Sequence, residues 1–283
     1  MKAMILAAGL GTRLRPLTDN RPKGLVELAG RTLLEITLNR LRAFGITEVI
    51  INVHHFADMV IDYLKFNKNF GMRIEISREE VLLDTGGGLK KAAWFFLEDA
   101  ARRDSSEMEE PFLLHNVDVI SSIDLRRMVQ FHTENHALAT LAVQTRETSR
   151  YLLFNAHQQL CGRRIGRDHA PELVRRDLID TLQEGTALAL PKNDKNPGAL
   201  ASEAKSSQPF HALAFSGIHM ISPRLLPMLT EEGIFSIIPS YLRLAAQDEK
   251  ILAFRADGYY WRDLGRPADL AKAAHDLQQN VLL

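Results

Sequence analysis

Cysteine is almost missing: Cys161 is the only one in 283 residues, which excludes an intrachain disulfide and a cysteine-built zinc site. That suits a reducing cytosol. A charge surplus of either sign is missing too, since 35 Lys and Arg balance 35 Asp and Glu. Proteins that coat nucleic acid carry a basic excess to neutralise phosphates, so that class is not expected and any anion site must be local. Long apolar runs are also lacking. The N-terminal MKAMILAAG holds a run shorter than a signal-peptide core and far below the roughly 18 residues of a membrane span. A cytoplasmic, soluble chain with neither nucleic-acid nor membrane partners is therefore expected. No internal repeat occurs, and the absence of a hexapeptide period argues against a fused β-helix domain. What is present, 46% hydrophobic and 25% charged residues, is ordinary for a globular protein long enough to bury a core without disulfides.

Residues 1–145 alternate buried, strand-like runs with amphipathic stretches. Lys2 to Ala8, Glu48 to Val53, Arg73 to Ser77, Pro111 to Val117 and Ala137 to Val143 read as strands. Thr32 to Phe44, Asp58 to Phe66, Gly88 to Leu97 and Leu125 to Glu134 read as helices, with Gly45 stopping the first. This rhythm predicts an α/β fold: a mixed, mostly parallel sheet with helices on both faces. The second half is less regular. Tyr151 to Phe154 and Gln159 to Ile165 predict a β-rich excursion, and Asp194 to Gln208, polar and without apolar period, predicts a mobile loop within 190–209. His211 to Ile221 is apolar again, Ser222-Pro223 signals a helix start, and a further helix from Ser236, a strand at Ile251 to Phe254 and a helix from Pro267 to Gln278 follow.

The densest local signal is GLGTRLRPLTDNRPK, Gly9 to Lys23, directly after the first strand. It sets Arg13, Arg15, Arg21 and Lys23 against Asp19 alone, on a loop opened by Gly9 and Gly11. Glycines admit close backbone approach, and N–H groups turned inward beside Arg and Lys make a cradle for polyphosphate. The carboxyl end of a strand is also where open α/β sheets bind ligands. Two better-known glycine motifs fail here: Leu14 stands where the dinucleotide fingerprint needs Gly, and no Gly-Lys-Ser/Thr follows for a P-loop.

With these residues in view, AAGLGTRLRPLT…RPK resembles the signature of the sugar-1-phosphate nucleotidyltransferases, or nucleotide-sugar pyrophosphorylases. The likeness continues in order through LLDTGGGLKKA (82–92), HNVDV (115–119, with Val117 where the family has Gly), FSGIHMIS (215–222) and WRDLGRP (261–267). It implies a Rossmann-like nucleotide-diphospho-sugar transferase fold as one domain over 1–283, with a nucleotide half at 1–145 and a sugar-phosphate half at 146–283. It also implies transfer of a nucleoside monophosphate from a nucleoside triphosphate to a sugar 1-phosphate with Mg²⁺, by a monomer or small homo-oligomer. Residue by residue, the resemblance puts Arg13 on the leaving pyrophosphate and Lys23 on the α-phosphate. Ala8, Gly9, Gly11, Thr12, Thr85, Gly86 and Gly87 would meet the nucleotide, and Asn116, Arg150, Ser216 and Gly217 the sugar. Asp118 and Asp263 would hold the metal.

One departure bears on the substrate. Where many hexose-specific members carry Glu-Lys-Pro, this chain reads CGRRIGR (161–167), and with SRYLLF (149–154) it looks more like muramate 1-phosphate uridylyltransferases and mannose or heptose 1-phosphate guanylyltransferases. Arg150, Arg163 or Arg164 meeting an anionic sugar substituent is one expectation, and a solvated basic strand is the other. A non-catalytic nucleotide-sugar sensor and a cytidylyltransferase for an alcohol phosphate such as choline phosphate remain as alternatives.

Overall fold

In the computed structural model, residues 1–98, 110–166, 169–174 and 210–279 are described. The 190–209 segment expected as a loop lies outside them. The first strands are β1 (Lys2–Leu6), β2 (Glu27–Leu28), β3 (Arg31–Thr32), β4 (Glu48–Val53), β5 (Arg73–Arg78), β6 (Phe112–Asn116) and β7 (Val119–Ser121). The rest are β8 (Ala139–Gln144), β9 (Arg150–Phe154), β10 (Leu160–Ile165), β11 (Glu172–Leu173), β12 (His211–Ile221), β13 (Ile251–Arg255) and β14 (Trp261–Asp263). The α-helices are α1 (Leu33–Ala43), α2 (Ala57–Phe66), α3 (Asp84–Leu97), α4 (Leu125–Glu134), α5 (Ile237–Ala246) and α6 (Pro267–Gln278).

Strands β5-β4-β1-β6 pair in parallel and form the sheet core expected of alternating strands and helices. Antiparallel pairing enters through β12, which joins β6, β8 and β9, while β13 runs parallel to β8. Successive residues of β1 feed opposite faces: Ala3 and Ile5 enter one apolar cluster with Leu38 of α1, Val60 of α2 and Met128 of α4, and Met4 enters another with Phe95 of α3 and Tyr241 of α5. That two-residue period is why a strand buried on both sides reads as an unbroken apolar run.

Local signals set several helix ends. The Thr32 hydroxyl accepts from the Glu35 N–H at 3.0 Å and caps α1, and Gly45, at φ +81°, stops the chain after it. Two ends differ from expectation. Helix α3 begins at Asp84 rather than Gly88, so its glycines occupy the first turn. After Ser222 the chain makes a 3-10 turn, Pro223–Met228, because Pro227 has no N–H to donate to the carbonyl four residues back. No helix among the described residues is long and apolar enough to cross a membrane.

Three histidines are buried in the core, His115 on β6, His219 on β12 and His132 on α4. His115 and His219 are each 1% exposed and His132 is 3% exposed. His115 Nδ1 lies 2.8 Å from the Asn116 carbonyl and its Nε2 faces Arg40 Nη1 at 3.4 Å; since arginine only donates, this is the neutral ring with Nδ1–H donating. His219 Nδ1 meets the Tyr241 hydroxyl at 2.9 Å, and His132 Nδ1 meets Thr140 Oγ1 at 2.9 Å. Burial, with Arg40 adding to it at His115, pushes His115 and His219 down to about 3. Burial and Arg224 push His132 to about 4.

Candidate active site

The carboxyl ends of β1, β4 and β6 open onto a cleft of about 370 Å³ lined by Ala8, Gly9, Lys23, Asn52, Glu79, Thr85, Asn116 and Asp118, among others. Its floor is a relay of buried polar groups. The Ala7 N–H donates to Asn52 Oδ1 at 2.7 Å, Asn52 Nδ2 donates to Glu79 Oε1 at 2.8 Å, and Glu79 Oε2 accepts from the Leu83 N–H at 2.9 Å. Gly88 in the first turns of α3 belongs to this floor, since a Cβ there would lie 2.8 Å from Glu79 Oε1 and 2.9 Å from Asn52 Nδ2.

The loop after β1 is shaped by Gly11, at φ +66°. Any Cβ there would stand 2.9 Å from Thr18 Cγ2, and the Thr18 hydroxyl donates to the Gly11 carbonyl at 2.8 Å. Thr12–Leu14 then form a 3-10 turn whose Leu14 is fully buried, which leaves Arg13 directed to Gly265. Gly265 in turn has no room for a side chain: a Cβ would sit 2.8 Å from Asp263 Oδ1 and 3.2 Å from Arg13 Nη2.

The two acidic residues come together through the short β7–β14 ladder, which sets Asp263 opposite Val119, and through the Leu264 N–H, which donates to the Asp118 carbonyl at 2.8 Å. Lys23 Nζ forms an ion pair with Asp118 Oδ2, with both side chains largely buried. Asp263 Oδ1 is buried and accepts no hydrogen bond. Burial first, and then the neighbouring Asp118 charge, hold the Asp263 carboxyl above the usual carboxylate range, against the pull of Lys23 and Arg13. Two crowded carboxylates with an oxygen unmet call for a cation. Among the described residues no cluster of three or more His, Cys, Asp or Glu is placed to hold one, so any metal here would take most of its ligands from water and substrate.

Of the residues singled out from sequence, Ala8, Gly9, Lys23, Thr85, Asn116 and Asp118 line the cleft, and Arg13 and Asp263 adjoin it. Gly217, at φ +73° in a β12 irregularity, packs against Asn116, with a Cβ position 2.8 Å from Asn116 Nδ2. The Ser216 carbonyl accepts from Trp261 Nε1 at 2.7 Å. Arg150 is exposed at the start of β9 and does not line this cleft. Gly86 and Gly87 serve a packing role: both N–H groups donate to the Phe235 carbonyl, at 2.9 and 3.1 Å, while Thr85 Oγ1 accepts from the Ile237 N–H at 3.0 Å. The two helix starts, α3 and α5, thus cap each other. A Cβ on Gly87 would lie 2.5 Å from the Gly233 carbonyl oxygen, a backbone atom that cannot swing aside. Gly87→Ala is expected to cost about 1–3 kcal/mol of stability, as overpacking does, and a urea midpoint equal to wild type would refute it.

Sequence reasoning passed over Asn52, Glu79 and Arg146. Asn52 was signalled as a polar residue at the carboxyl end of an otherwise apolar strand, where an α/β sheet places its ligand, whereas Glu79 follows the alternating strand RIEISR.

Residues 2–160 match the profile of the family described as Nucleotidyl transferase. A segment of 93 residues is 53% identical to the N-acetylmuramate alpha-1-phosphate uridylyltransferase of Caulobacter vibrioides, covering 32% of this chain and 38% of that protein. The mannose-1-phosphate guanyltransferase of Candida albicans is 27% identical over 271 residues, 95% of this chain and 62% of that one. The chain thus spans less than two thirds of either relative. In solved structures the fold matches HddC from Yersinia pseudotuberculosis complexed with GMP-PN (TM-score 0.63, 17% identity, 98% and 99% of the two chains). It also matches UDP-glucose pyrophosphorylase complexed with UDP-glucose (TM-score 0.68, 15% identity, 99% and 98%).

Proposed function

The chain belongs to the nucleotidyl transferase family, and from that premise we propose that it transfers a nucleoside monophosphate from a nucleoside triphosphate to a sugar 1-phosphate. A phosphate oxygen of the sugar 1-phosphate attacks the α-phosphorus, the α–β bridging bond breaks, and pyrophosphate leaves. No protein nucleophile is needed; the protein supplies in-line positioning and neutralises crowded negative charge. The observation that carries this reading is the grouping of Lys23, Asp118 and Asp263 beside Arg13 at one sheet edge.

In that reading Lys23 meets the α-phosphate as charge develops, Arg13 meets the departing pyrophosphate, and the loop backbone from Gly9 to Thr12 meets the phosphates. The cleft residues Ala8 and Thr85 bound the nucleotide side, and Asn116, backed by Gly217, bounds the ribose or sugar side. Asp118 and Asp263 suit Mg²⁺, given the unmet Asp263 Oδ1 beside a second carboxylate. When bound, the ion would withdraw charge from phosphoryl oxygens. The Lys23–Asp118 pair tethers the lysine at the reacting edge before substrate arrives.

The relatives' printed substrates differ in base and sugar, so the test is a pyrophosphate-release screen. ATP, CTP, GTP, UTP and dTTP are paired with N-acetylmuramate, mannose, heptose and glucose 1-phosphates, and with choline phosphate, in the presence of Mg²⁺. Release with at least one pair is expected. Tight nucleotide binding with no release from any pair, choline phosphate included, would replace the enzyme with a nucleotide-sugar sensor.

A further inference from the structure

Beyond the acid pair, on the side of β9, β10 and β14, lies a strip of charge that nucleotidyl transfer does not use. The half-buried arginines near it divide into two kinds. Arg163 pairs with Glu172 and Arg262 with Asp276. Arg146 and Arg164 have no acidic partner among the described residues. Both are instead held on aromatic faces: the Arg146 guanidinium stands 3.8 Å from the Trp261 ring centre, and that of Arg164 stands 5.2 Å from the Tyr151 ring. Arg146 Nη2 donates to the Phe215 carbonyl at 2.6 Å, which further fixes its plane.

Tyr151 links the two arginines, since its ring carries Arg164 and its hydroxyl accepts from the Thr148 N–H at 3.3 Å, two residues from Arg146. Arg164 and Tyr151 are cross-strand partners in the β9–β10 ladder, and Trp261 and Asp263 are two apart in β14. Asp263 and the Tyr151 hydroxyl both act electrostatically on Arg146. Of the seven buried side-chain polar atoms left without a hydrogen bond among the described residues, three that can donate lie here: Arg146 Nε, Arg164 Nε and Ser216 Oγ. Guanidinium groups that are stacked and oriented, and that form no ion pair among the described residues, are preorganised for an oxyanion, and their planar fork matches a carboxylate. In the proposed mechanism Lys23 and Arg13 serve the triphosphate, so the acceptor's own phosphate is the competing occupant of these arginines, and equal loss for acidic and neutral acceptors is the result that would reveal it.

We propose that Arg146 and Arg164 form a subsite for a carboxylate carried on the acceptor sugar, separate from its phosphate. The proposal rests on the reading of the protein as a sugar-1-phosphate nucleotidyltransferase. It also separates the arginines that sequence alone left together: Arg163 is engaged by Glu172, and Arg150 is exposed at the strand end.

The test compares N-acetylmuramate 1-phosphate, which bears a carboxylate, with N-acetylglucosamine 1-phosphate, which lacks it, in wild type, Arg146→Met and Arg164→Met. The acidic-to-neutral ratio of kcat/KM is expected to fall about 10- to 100-fold in each variant, mainly through KM, as losing a charge-assisted hydrogen bond implies. An unchanged ratio, or equal loss for both acceptors, overturns the subsite. Arg146 also braces Trp261, so Arg164→Met, which gives up no hydrogen bond among the described residues, decides the matter if Arg146→Met fails to fold. Calorimetric binding of both sugar phosphates keeps the two proposals apart. If wild type turns over neither acceptor yet prefers the acidic one, and Arg164→Met loses that preference, the transfer reading falls and the subsite stands. Absence of any preference in wild type overturns the subsite.

Discussion

Asp118→Asn is expected to lower pyrophosphate release by about a thousandfold or more while nucleotide binding and the fold persist. The substitution keeps the shape of the side chain and removes one charge from a pair whose second member, Asp263, already has an unmet oxygen. It also takes away the anion that anchors Lys23. Interactions aimed at charge developing during phosphoryl transfer are worth roughly 10²- to 10⁵-fold each, so loss of metal affinity together with a displaced lysine belongs in the upper part of that range. The Mg²⁺ concentration for half-maximal rate should rise in the same variant. Stability should change little, because relief of the Asp118–Asp263 repulsion offsets the lost ion pair. A rate near wild type, at an unchanged Mg²⁺ requirement, would remove both carboxylates from the mechanism.

The second large effect concerns acid. His115, His132 and His219 are held neutral in the fold, at about 3, 4 and 3, whereas in the unfolded chain each titrates near 6.5. Below about pH 6.5 the unfolded chain therefore binds more protons than the folded one, and stability falls with pH until the folded values are reached. Between pH 7 and pH 5 this amounts to about 2 kcal/mol for each histidine. The facing groups do not cancel it: Arg40 opposes protonation of His115, Arg224 that of His132 and His115 that of His219, while the Asn116 carbonyl and Asp118 favour a charged His115 without overcoming its burial. Asp263, with its carboxyl held high, runs the other way and returns part of the loss. Carboxylates held low by arginine or lysine partners, such as Glu98 and Glu231, act only below this window. The net loss of several kcal/mol is comparable with the whole stability of many domains. Urea midpoints at pH 7, 6 and 5 measure it, and His132→Gln should flatten the slope by about a third. A midpoint that stays level from pH 7 to 5 would show that these rings are not buried in neutral form.

Much of this architecture can be read from local residues, and the reason differs from one element to the next. Helices α4 and α6 match their predicted bounds because each is an amphipathic stretch with a clear start, Asp124 capping the first and Pro267 opening the second. Strand β12 is likewise found at His211–Ile221, where apolar residues run between polar flanks. The Gly9 to Lys23 loop is shaped by short-range chemistry: Gly11 adopts a left-handed backbone, and the cations lie within a few residues of it. Signals of this kind are contained within one turn or one strand, so no distant partner is needed to see them.

Long-range pairing decided the rest. In the TGGG stretch the Gly86 and Gly87 N–H groups donate to the Phe235 carbonyl, about 150 residues further along the chain, by backbone hydrogen bonds that carry no sequence signature. Arg163 and Arg164 are adjacent and chemically identical in sequence. They face opposite sides of β10, so one finds Glu172 and the other the ring of Tyr151. Asp118 and Asp263 meet only because β14 returns to pair with β7. Burial behaves the same way, since no neighbour in the chain tells His219 that Tyr241 will cover it. Periodicity and local turn chemistry settle which elements form and where glycines and cations gather on one loop. Which side chains are charged, paired or left waiting is set by contacts between segments far apart in the chain, because electrostatics and desolvation depend on distance in space.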